Sequence, residues 1–173
     1  MWSGEMRRWR STEGTGLRGV FLVILSALAV GCDSSPTNGG AQEVDPRVLE
    51  AMADAIQDEF RAEMIYERVL EEHGSIRPFY NIIHAEERHS EAIARLYQSR
   101  GLEVPGSRWS WDQIPSFPGM EEACQAGVAA EMENAEIYEE FFSLDLPFDV
   151  RRVFENNQAA SLNNHLPAFQ RCS

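Results

Sequence analysis

The chain has 173 residues, a formal net charge of −13 and 15 Lys+Arg residues, all of which are arginine. This length fits one domain, and a composition that is 43% hydrophobic is typical of a folded chain with a buried core. The absence of lysine excludes a P-loop or Schiff-base enzyme, and the negative charge argues against a nucleic acid as the partner.

The first predicted element is a lipoprotein signal peptide over residues 1–31. Four arginines precede the apolar run GVFLVILSALAVG, which is shorter than a typical membrane span. The run ends in LAVGC, which resembles the lipobox of bacterial lipoproteins, so Cys32 is the predicted lipidated N-terminus of the mature chain. An uncleaved anchor and an ordinary signal peptide are the alternatives. The prediction places the protein in the cell envelope, extracytoplasmic and anchored to a membrane.

Residues 32–44 are polar and turn-forming without periodicity, and they are predicted to form a flexible tether. From residue 45 onward the signals are helical. Asp45 and Pro46 suit the start of a helix and Gly74 suits its end, which predicts a first helix over about 46–73. No stretch alternates as a strand would. The other predicted helices are, in chain order, 78–101, 119–143 and 147–171.

Loop lengths predict how these helices are arranged. The first and second helices, and the third and fourth, are joined by a few residues, so each pair must form an antiparallel hairpin. The connection over residues 101–118 is long enough to cross the length of the bundle. We therefore predict an all-α fold, a four-helix bundle over 45–173 made of two antiparallel hairpins joined by a long crossover. Trp109 and Trp111 in this crossover are expected to cover the side of the bundle.

Each predicted helix interrupts its apolar, inward-facing stripe with polar residues near its middle. Unpaired buried charges are costly, and neither arginine nor lysine shares these stripes. A bound metal ion is the simplest compensating charge, because residues three apart on a helix can both reach one ion. The predicted ligands are Glu59, Glu86, His89, Glu131 and His165. The alternative is a protonated, hydrogen-bonded polar layer without metal.

An internal repeat supports this interpretation. The first and third helices share a spacing of three polar or small residues. It is formed by Glu59, Ala62 and Tyr66 in the first helix and by Glu131, Asn134 and Tyr138 in the third. Polar residues at inward positions are candidates to hydrogen-bond the ligands from behind, although a tyrosine there also suits plain packing. These candidates are Tyr66, Asn134, Tyr138 and Ser161.

A glutamate from each of two helices, combined with Glu-x-x-His on a partner helix, follows the di-metal carboxylate pattern of ferritin-like bundles. The segments EFRAEMIYERVLEEHG, NIIHAEERH and NNHLPAF resemble the rubrerythrin and ferritin superfamily over residues 45–172, and most closely the ferritin-like family called domain of unknown function 2202. The resemblance implies the bundle fold, metal binding by carboxylates and histidines, and iron or manganese redox chemistry. It implies no particular substrate.

One position departs from this pattern. Three residues before His165 stands Leu162, where a second Glu-x-x-His motif needs a glutamate, and Ser161 is its neighbour. The second half of the site is therefore one carboxylate short, which leaves a mononuclear or an asymmetric site open. Glu63 and Glu133 are the nearest substitutes, although solvent-facing positions suit both of them better.

The two remaining cysteines lie at the ends of predicted helices. Cys124 is near the start of the third helix and Cys172 ends the fourth. In an antiparallel hairpin that turns near residue 146 both lie at the same end, so we predict a disulfide between them in an oxidising compartment. The alternative gives Cys124 the role of a small core residue.

Two classes of function are consistent with the sequence. The first is a lipid-anchored, ferritin-like protein that binds iron, or manganese as the second choice, in a mononuclear or dinuclear centre. Such a centre would oxidise ferrous iron or a small reductant with dioxygen or peroxide. The second is a non-catalytic envelope protein that buffers metal or, without a cofactor, presents a helical face to a partner. A homo-oligomer is open in both classes.

Overall fold

The computed structural model describes residues 44–172, which are mostly helical. The predicted signal peptide, the lipidation site Cys32 and nearly all of the tether lie outside the described residues. No β-strand occurs within residues 44–172 and the helices pack as a bundle, so the predicted all-α class is confirmed. None of the helices in this range combines the length and the apolar character that crossing a membrane would require.

The first helix has the predicted bounds, the second and third differ slightly from theirs, and the fourth is interrupted. In chain order the elements are α1 (Pro46–His73), α2 (Phe79–Ser99), a short 3-10 turn (Trp111–Gln113), α3 (Met120–Phe141), α4 (Phe148–Ala160), a π-helical turn (Ser161–His165) and α5 (Leu166–Gln170).

Local chemistry explains both ends of α1. The Asp45 side chain accepts a hydrogen bond from the backbone N–H of Arg47 at 2.9 Å, and Pro46 occupies the first helical position, where a missing N–H has no cost. Gly74 has a φ of 80°, which favours glycine, and its N–H donates to the Leu70 carbonyl. These contacts stop the helix where the sequence predicts.

Two apolar clusters show how the helices are arranged. One joins the start of α1, the end of α2, the end of α3 and the start of α4 through Val48, Leu96, Tyr138 and Val150. The other joins the opposite helix ends through Val69, Phe79, Cys124 and Phe169. Each hairpin is therefore antiparallel, and α2 runs parallel to α3. The crossover between α2 and α3 must run the length of the bundle, and the polar middle layer lies between the two clusters.

Gln57 of α1 fastens the crossover. Its side chain donates to a crossover carbonyl at 2.9 Å and accepts from the backbone N–H of Arg108 at 2.8 Å, while its own carbonyl accepts from Trp109 Nε1 at 2.7 Å. Farther along, the guanidinium carbon of Arg68 lies 4.1 Å from the centre of the Trp111 ring. Both tryptophans therefore cover the side of α1, the role predicted for them.

The last helix is not the uninterrupted α-helix predicted over 147–171. It contains a π-helical turn, in which the Leu166 N–H donates to the Ser161 carbonyl. Pro167 explains the interruption, because it has no N–H for a regular helix bond and its ring would clash with the carbonyl four residues earlier. The wider turn places Ser161 in the core at 0% exposure and turns Leu162 to the surface at 42% exposure.

A disulfide joins Cys124 of α3 to Cys172, which follows α5, with the two Cα atoms 5.7 Å apart. The end of the chain is thereby fixed to α3. Nearby, a Cβ atom on Gly127 would lie 2.6 Å from the Phe169 ring, so only glycine allows α5 to approach α3 this closely. The segment that carries His165 is held against α3 by both features.

Candidate metal centre

The fold brings the five predicted ligands together in the middle layer of the bundle. Their ligand atoms form two groups of three, each with its members within 4.8 Å of one another. The groups contain Glu59, Glu86 and His89, and Glu86, Glu131 and His165. Carboxylate oxygens and imidazole nitrogens suit iron, manganese and zinc alike, so each group could hold a metal ion whose identity the donors leave open.

Glu86 belongs to both groups and uses a different oxygen for each. Its Oε2 lies 2.8 Å from His89 Nδ1, and its Oε1 lies 2.9 Å from His165 Nδ1. Beyond the histidines, Glu59 Oε2 is 3.4 Å from His89 Nδ1 and Glu131 Oε2 is 3.3 Å from His165 Nδ1. The two imidazole rings are stacked with their centres 5.5 Å apart. Each half thus has one histidine and one outer glutamate, and Glu86 lies between the two halves.

The ligand atoms are buried but incompletely hydrogen-bonded. Glu59 is 0% exposed and Glu86 2% exposed. Glu59 Oε2, Glu86 Oε1 and His165 Nδ1 make no well-aligned hydrogen bond, although each lies 2.9–3.4 Å from an ion-pair partner within the centre. Leaving a buried polar atom unpaired costs on the order of 1–3 kcal/mol, and more for a charged group. The arrangement of these side chains is therefore costly unless something else occupies the centre.

Two buried tyrosines hold the outer carboxylates from behind. Tyr66 of α1 donates its hydroxyl to Glu131 Oε1 at 2.6 Å, and Tyr138 of α3 donates to Glu59 Oε1 at 2.5 Å. Burial, followed by the carboxylate charges, raises the pKa of both phenols well above 10, so they remain donors. Each glutamate is thereby oriented with Oε2 toward the centre.

A second polar network lies behind Glu59 only. Asn134 donates to Asp58 Oδ2 at 2.8 Å and to Glu59 Oε1 at 3.4 Å, and accepts from the Ser161 hydroxyl at 2.8 Å. Asn157 donates to Glu59 Oε1 at 3.3 Å. Asp58 and Asn157 were not among the residues predicted to contact the ligands. Asn157 lies on the inward stripe four residues before Ser161, and this spacing could have predicted its contact with the ligands. Asp58 lies beside the inward stripe of its helix, so the sequence pattern does not predict its contact.

The two carboxylates considered as substitutes for the missing ligand have other partners. Glu63 accepts a hydrogen bond from Ser90 Oγ at 2.6 Å, and Glu133 pairs with Arg61 at 2.7 Å. Neither belongs to the groups of candidate ligands. The second half of the centre therefore lacks a fourth carboxylate in this structure.

The carboxylates control the protonation of both histidines. Burial alone lowers the pKa of a histidine, but hydrogen bonds and charge from Glu59 and Glu86 outweigh it and raise the pKa of His89 to about 10. The pKa of His165 rises to about 9 for the same reason, through Glu131 and Glu86. Without metal at neutral pH, both imidazoles therefore carry a proton that offsets part of the carboxylate charge.

The metal-free protein is expected to lose stability, by roughly 5 °C or more in Tm, as the pH rises from about 6.5 to about 10. Folding raises the pKa of His89 and His165 above the unfolded value of about 6.5, so the folded state binds more protons in this window. Their stabilising contribution is complete below about pH 6.5 and is lost as the pH passes the folded values of about 9 and about 10. Asp58 and Glu63, whose pKa burial raises to about 7, add the same trend at lower pH.

Thermal unfolding of the metal-free protein across this pH range measures the effect. The His84→Ala variant is the matched control, since His84 is an exposed histidine of α2 that pairs with Glu87 and lies outside the centre. This variant should keep the slope of the parent. A Tm that stays level or rises between about pH 6.5 and about pH 10 would contradict the protonation assigned to the centre.

Comparisons with protein-family models, with curated proteins and with solved structures found no match to this chain.

Proposed function

We propose that this protein binds a transition metal, iron first and manganese second, in a ferritin-like bundle. One observation carries the proposal: three carboxylates and two histidines converge in one buried layer, where Glu59 Oε2, Glu86 Oε1 and His165 Nδ1 make no well-aligned hydrogen bond although they lie 2.9–3.4 Å from other ligand atoms. Buried polar atoms are normally paired, and a cation bound between them would satisfy all three. The geometry that motivates this proposal also agrees with the resemblance of the motifs to the ferritin-like family called domain of unknown function 2202.

The competing interpretation is a polar layer without metal. Such a layer would use hydrogen bonds among its own members, or a pairing cation from a side chain, to satisfy each buried atom. Within residues 44–172, no arginine forms an ion pair with Glu59, Glu86 or Glu131. The protons of the two histidines offset part of the charge of the three carboxylates, and the poor alignment of the hydrogen bonds among these groups favours a bound cation over the polar layer.

Each of the five side chains would supply a ligand atom to a bound metal. His89 and Glu59 would bind on one side, His165 and Glu131 on the other, and Glu86 would reach both with its two oxygens. Tyr66 and Tyr138 fix the rotamers of the outer glutamates, and the two apolar clusters lie above and below the ligands. Iron or manganese held there would supply one-electron redox chemistry toward dioxygen or peroxide.

Metal uptake tests the proposal directly. The full chain, stripped of metal by chelation, is titrated with ferrous iron under anaerobic conditions and separately with Mn(II) and Zn(II). We expect bound metal by elemental analysis after desalting, and a stabilisation of about 2.7 kcal/mol when the free metal reaches about 100 times its Kd. The His84→Ala variant should take up as much metal as the parent. Failure to bind any of these ions at micromolar concentration would refute the proposal and favour a helical interaction module.

Turnover separates an oxidoreductase from a metal buffer. The iron-loaded protein is mixed with peroxide or with dioxygen, and the oxidation of ferrous iron or of an added small reductant is followed by absorbance. Turnover in excess of the bound iron would identify an enzyme. Tight binding with only a single round of oxidation would identify the non-catalytic metal buffer.

We also propose that the bundle is displayed on a membrane through a lipid on Cys32. The proposal is supported by LAVGC at the end of the apolar run and by the polar stretch that follows it. In a bacterial host, Cys32→Ser should move the protein from the membrane fraction to the soluble fraction or leave it unprocessed. Equal membrane association of the parent and of a Cys32→Ser protein that has lost residues 1–31 would contradict the lipid anchor.

A further inference from the structure

One end of the bundle is the end at which the chain continues toward the predicted lipid on Cys32. We call it the tether end, and it consists of residues 44–47, 99–104 and 142–152. Val44, the first described residue, packs against the apolar cluster that joins the start of α1 to the end of α2 and the start of α4. Arg100, which follows α2, pairs with Asp149 of α4 at 2.9 Å. The three segments therefore form one surface.

The tether end exposes two large apolar side chains. Phe148, the first residue of α4, is 79% exposed, and Leu102 is 37% exposed. The guanidinium carbon of Arg152 lies 5.8 Å from the centre of the Phe148 ring. An exposed ring beside an arginine suits the interface of a phospholipid bilayer, where apolar side chains enter the headgroup region and arginines meet lipid phosphates.

Charge also distinguishes the tether end from the rest of the bundle. It contains four arginines and four acidic side chains, of which Arg47 pairs with Asp45 at 2.6 Å and Arg100 with Asp149. The remaining described residues contain 7 arginines and 20 acidic side chains. A bilayer that contains anionic lipids repels these strongly acidic surfaces, whereas the tether end has no excess of negative charge.

The number of residues in the tether limits which surface can reach the bilayer. Twelve residues link Cys32 to the start of the described range, and they span at most about 40 Å. The 28 residues of α1 alone extend about 42 Å. The opposite end of the bundle could approach the lipid only if the tether were fully extended along α1, whereas any shorter path brings the tether end to the bilayer.

We infer that the tether end docks on the phospholipid bilayer that holds the lipid anchor, with Phe148 in the headgroup region and Arg152 against lipid phosphates. The bundle then stands on the membrane, and the start of α2 lies far from it. This inference rests on the proposed lipid on Cys32 and adds a contact surface to it. It does not depend on the metal.

Tryptophan reporters in the lipidated protein test this orientation. The full chain is expressed in a bacterial host, and its membrane-bound product is reconstituted into vesicles of phosphatidylcholine and phosphatidylglycerol, with or without bromine on the acyl chains near the headgroups. Flotation of the vesicles first shows that the protein is anchored. Phe148→Trp should lose most of its added emission to the bromine. Tyr80→Trp, at an exposed aromatic position at the start of α2, should lose none. The parent gives the background from Trp109 and Trp111.

A second reporter tests whether Phe148 itself makes the contact. Leu102→Trp also lies at the tether end and should be quenched while Phe148 is intact. Adding Phe148→Asp should lower the ratio of docked to undocked protein by about tenfold or more, because burial of a phenylalanine side chain contributes that much. Adding Tyr80→Asp instead should leave the quenching unchanged. All these positions are exposed, and circular dichroism checks that each variant is folded.

The outcomes separate the contact surface from the anchor. Equal quenching of Phe148→Trp and Tyr80→Trp in floated vesicles would overturn the docked orientation and leave the lipid anchor standing. Unchanged quenching of Leu102→Trp after Phe148→Asp would also overturn it, because closeness to the tether would then explain the contact. A protein that does not float with the vesicles would overturn both the anchor and the inference.

Discussion

Glu86→Gln is expected to lower metal affinity by more than about 100-fold, because even changes behind a ligand cost 10–100-fold and Glu86 supplies an oxygen to both halves of the centre. The metal-free variant should remain folded but be less stable than the parent at neutral pH, because the amide no longer offsets the protons of His89 and His165. Elemental analysis after desalting and metal-induced shifts in Tm measure the two effects separately.

Two further variants test whether the loss of metal affinity is specific to Glu86. Glu87→Gln changes the next residue of α2, an exposed glutamate that pairs with His84, and should leave metal binding unchanged. His89→Ala removes a ligand from one half only, so it should reduce the metal content and leave the His165 half able to bind. Metal content in Glu86→Gln equal to that of the parent would show that Glu86 is not a shared ligand.

Removal of the disulfide is expected to lower the free energy of unfolding by about 4 kcal/mol in the chain-entropy model, for a loop closed between residues 48 apart in sequence. The double substitution Cys124→Ser with Cys172→Ser tests this by thermal unfolding. The corresponding fall in Tm should be on the order of 10 °C or more.

The reductant dithiothreitol provides the control. It should lower the Tm of the parent to that of the double variant and leave the double variant unchanged. The metal-bound parent should lose metal on reduction more readily than before, because the disulfide follows the segment that carries His165. A Tm that is the same for the parent and the double variant would mean that the packing of Phe169 against Gly127 is enough to fix the end of the chain.

The parts of the fold that depend on nearby residues could be predicted from the sequence. Asp45, Pro46 and Gly74 determine the ends of α1 through contacts within a few residues, and those bounds agree with the structure. The prediction of an uninterrupted last helix was wrong, and the reason is local. Pro167 has no N–H and forces a wider turn, and a prediction that assumes regular α-helical spacing has no place for it.

The ligand residues could be predicted because each is a polar residue in an apolar stripe. A polar residue at such a buried position has few physical explanations. Their hydrogen-bond partners could not. The contact from Tyr66 to Glu131 joins residues in different hairpins, so it depends on how α1 and α3 pack. The inward position of Ser161 depends on the π-helical turn, and counting three residues back from His165 points to Leu162 instead.

The reciprocal contacts of the tyrosines have a consequence for how such a centre could arise. Tyr66 of the first hairpin donates a hydrogen bond to Glu131 of the second, and Tyr138 of the second donates to Glu59 of the first. The tyrosine that orients each outer glutamate therefore comes from the other hairpin. Two copies of a single ancestral hairpin could associate to form the same layer, but identical copies would carry either a carboxylate or a serine at both equivalent positions. A chain in which the two copies are covalently joined is free to diverge, and it can have Glu86 on one side and Ser161 on the other. Fusion of the hairpins thus turns a symmetric assembly into one whose two halves can have different chemistry.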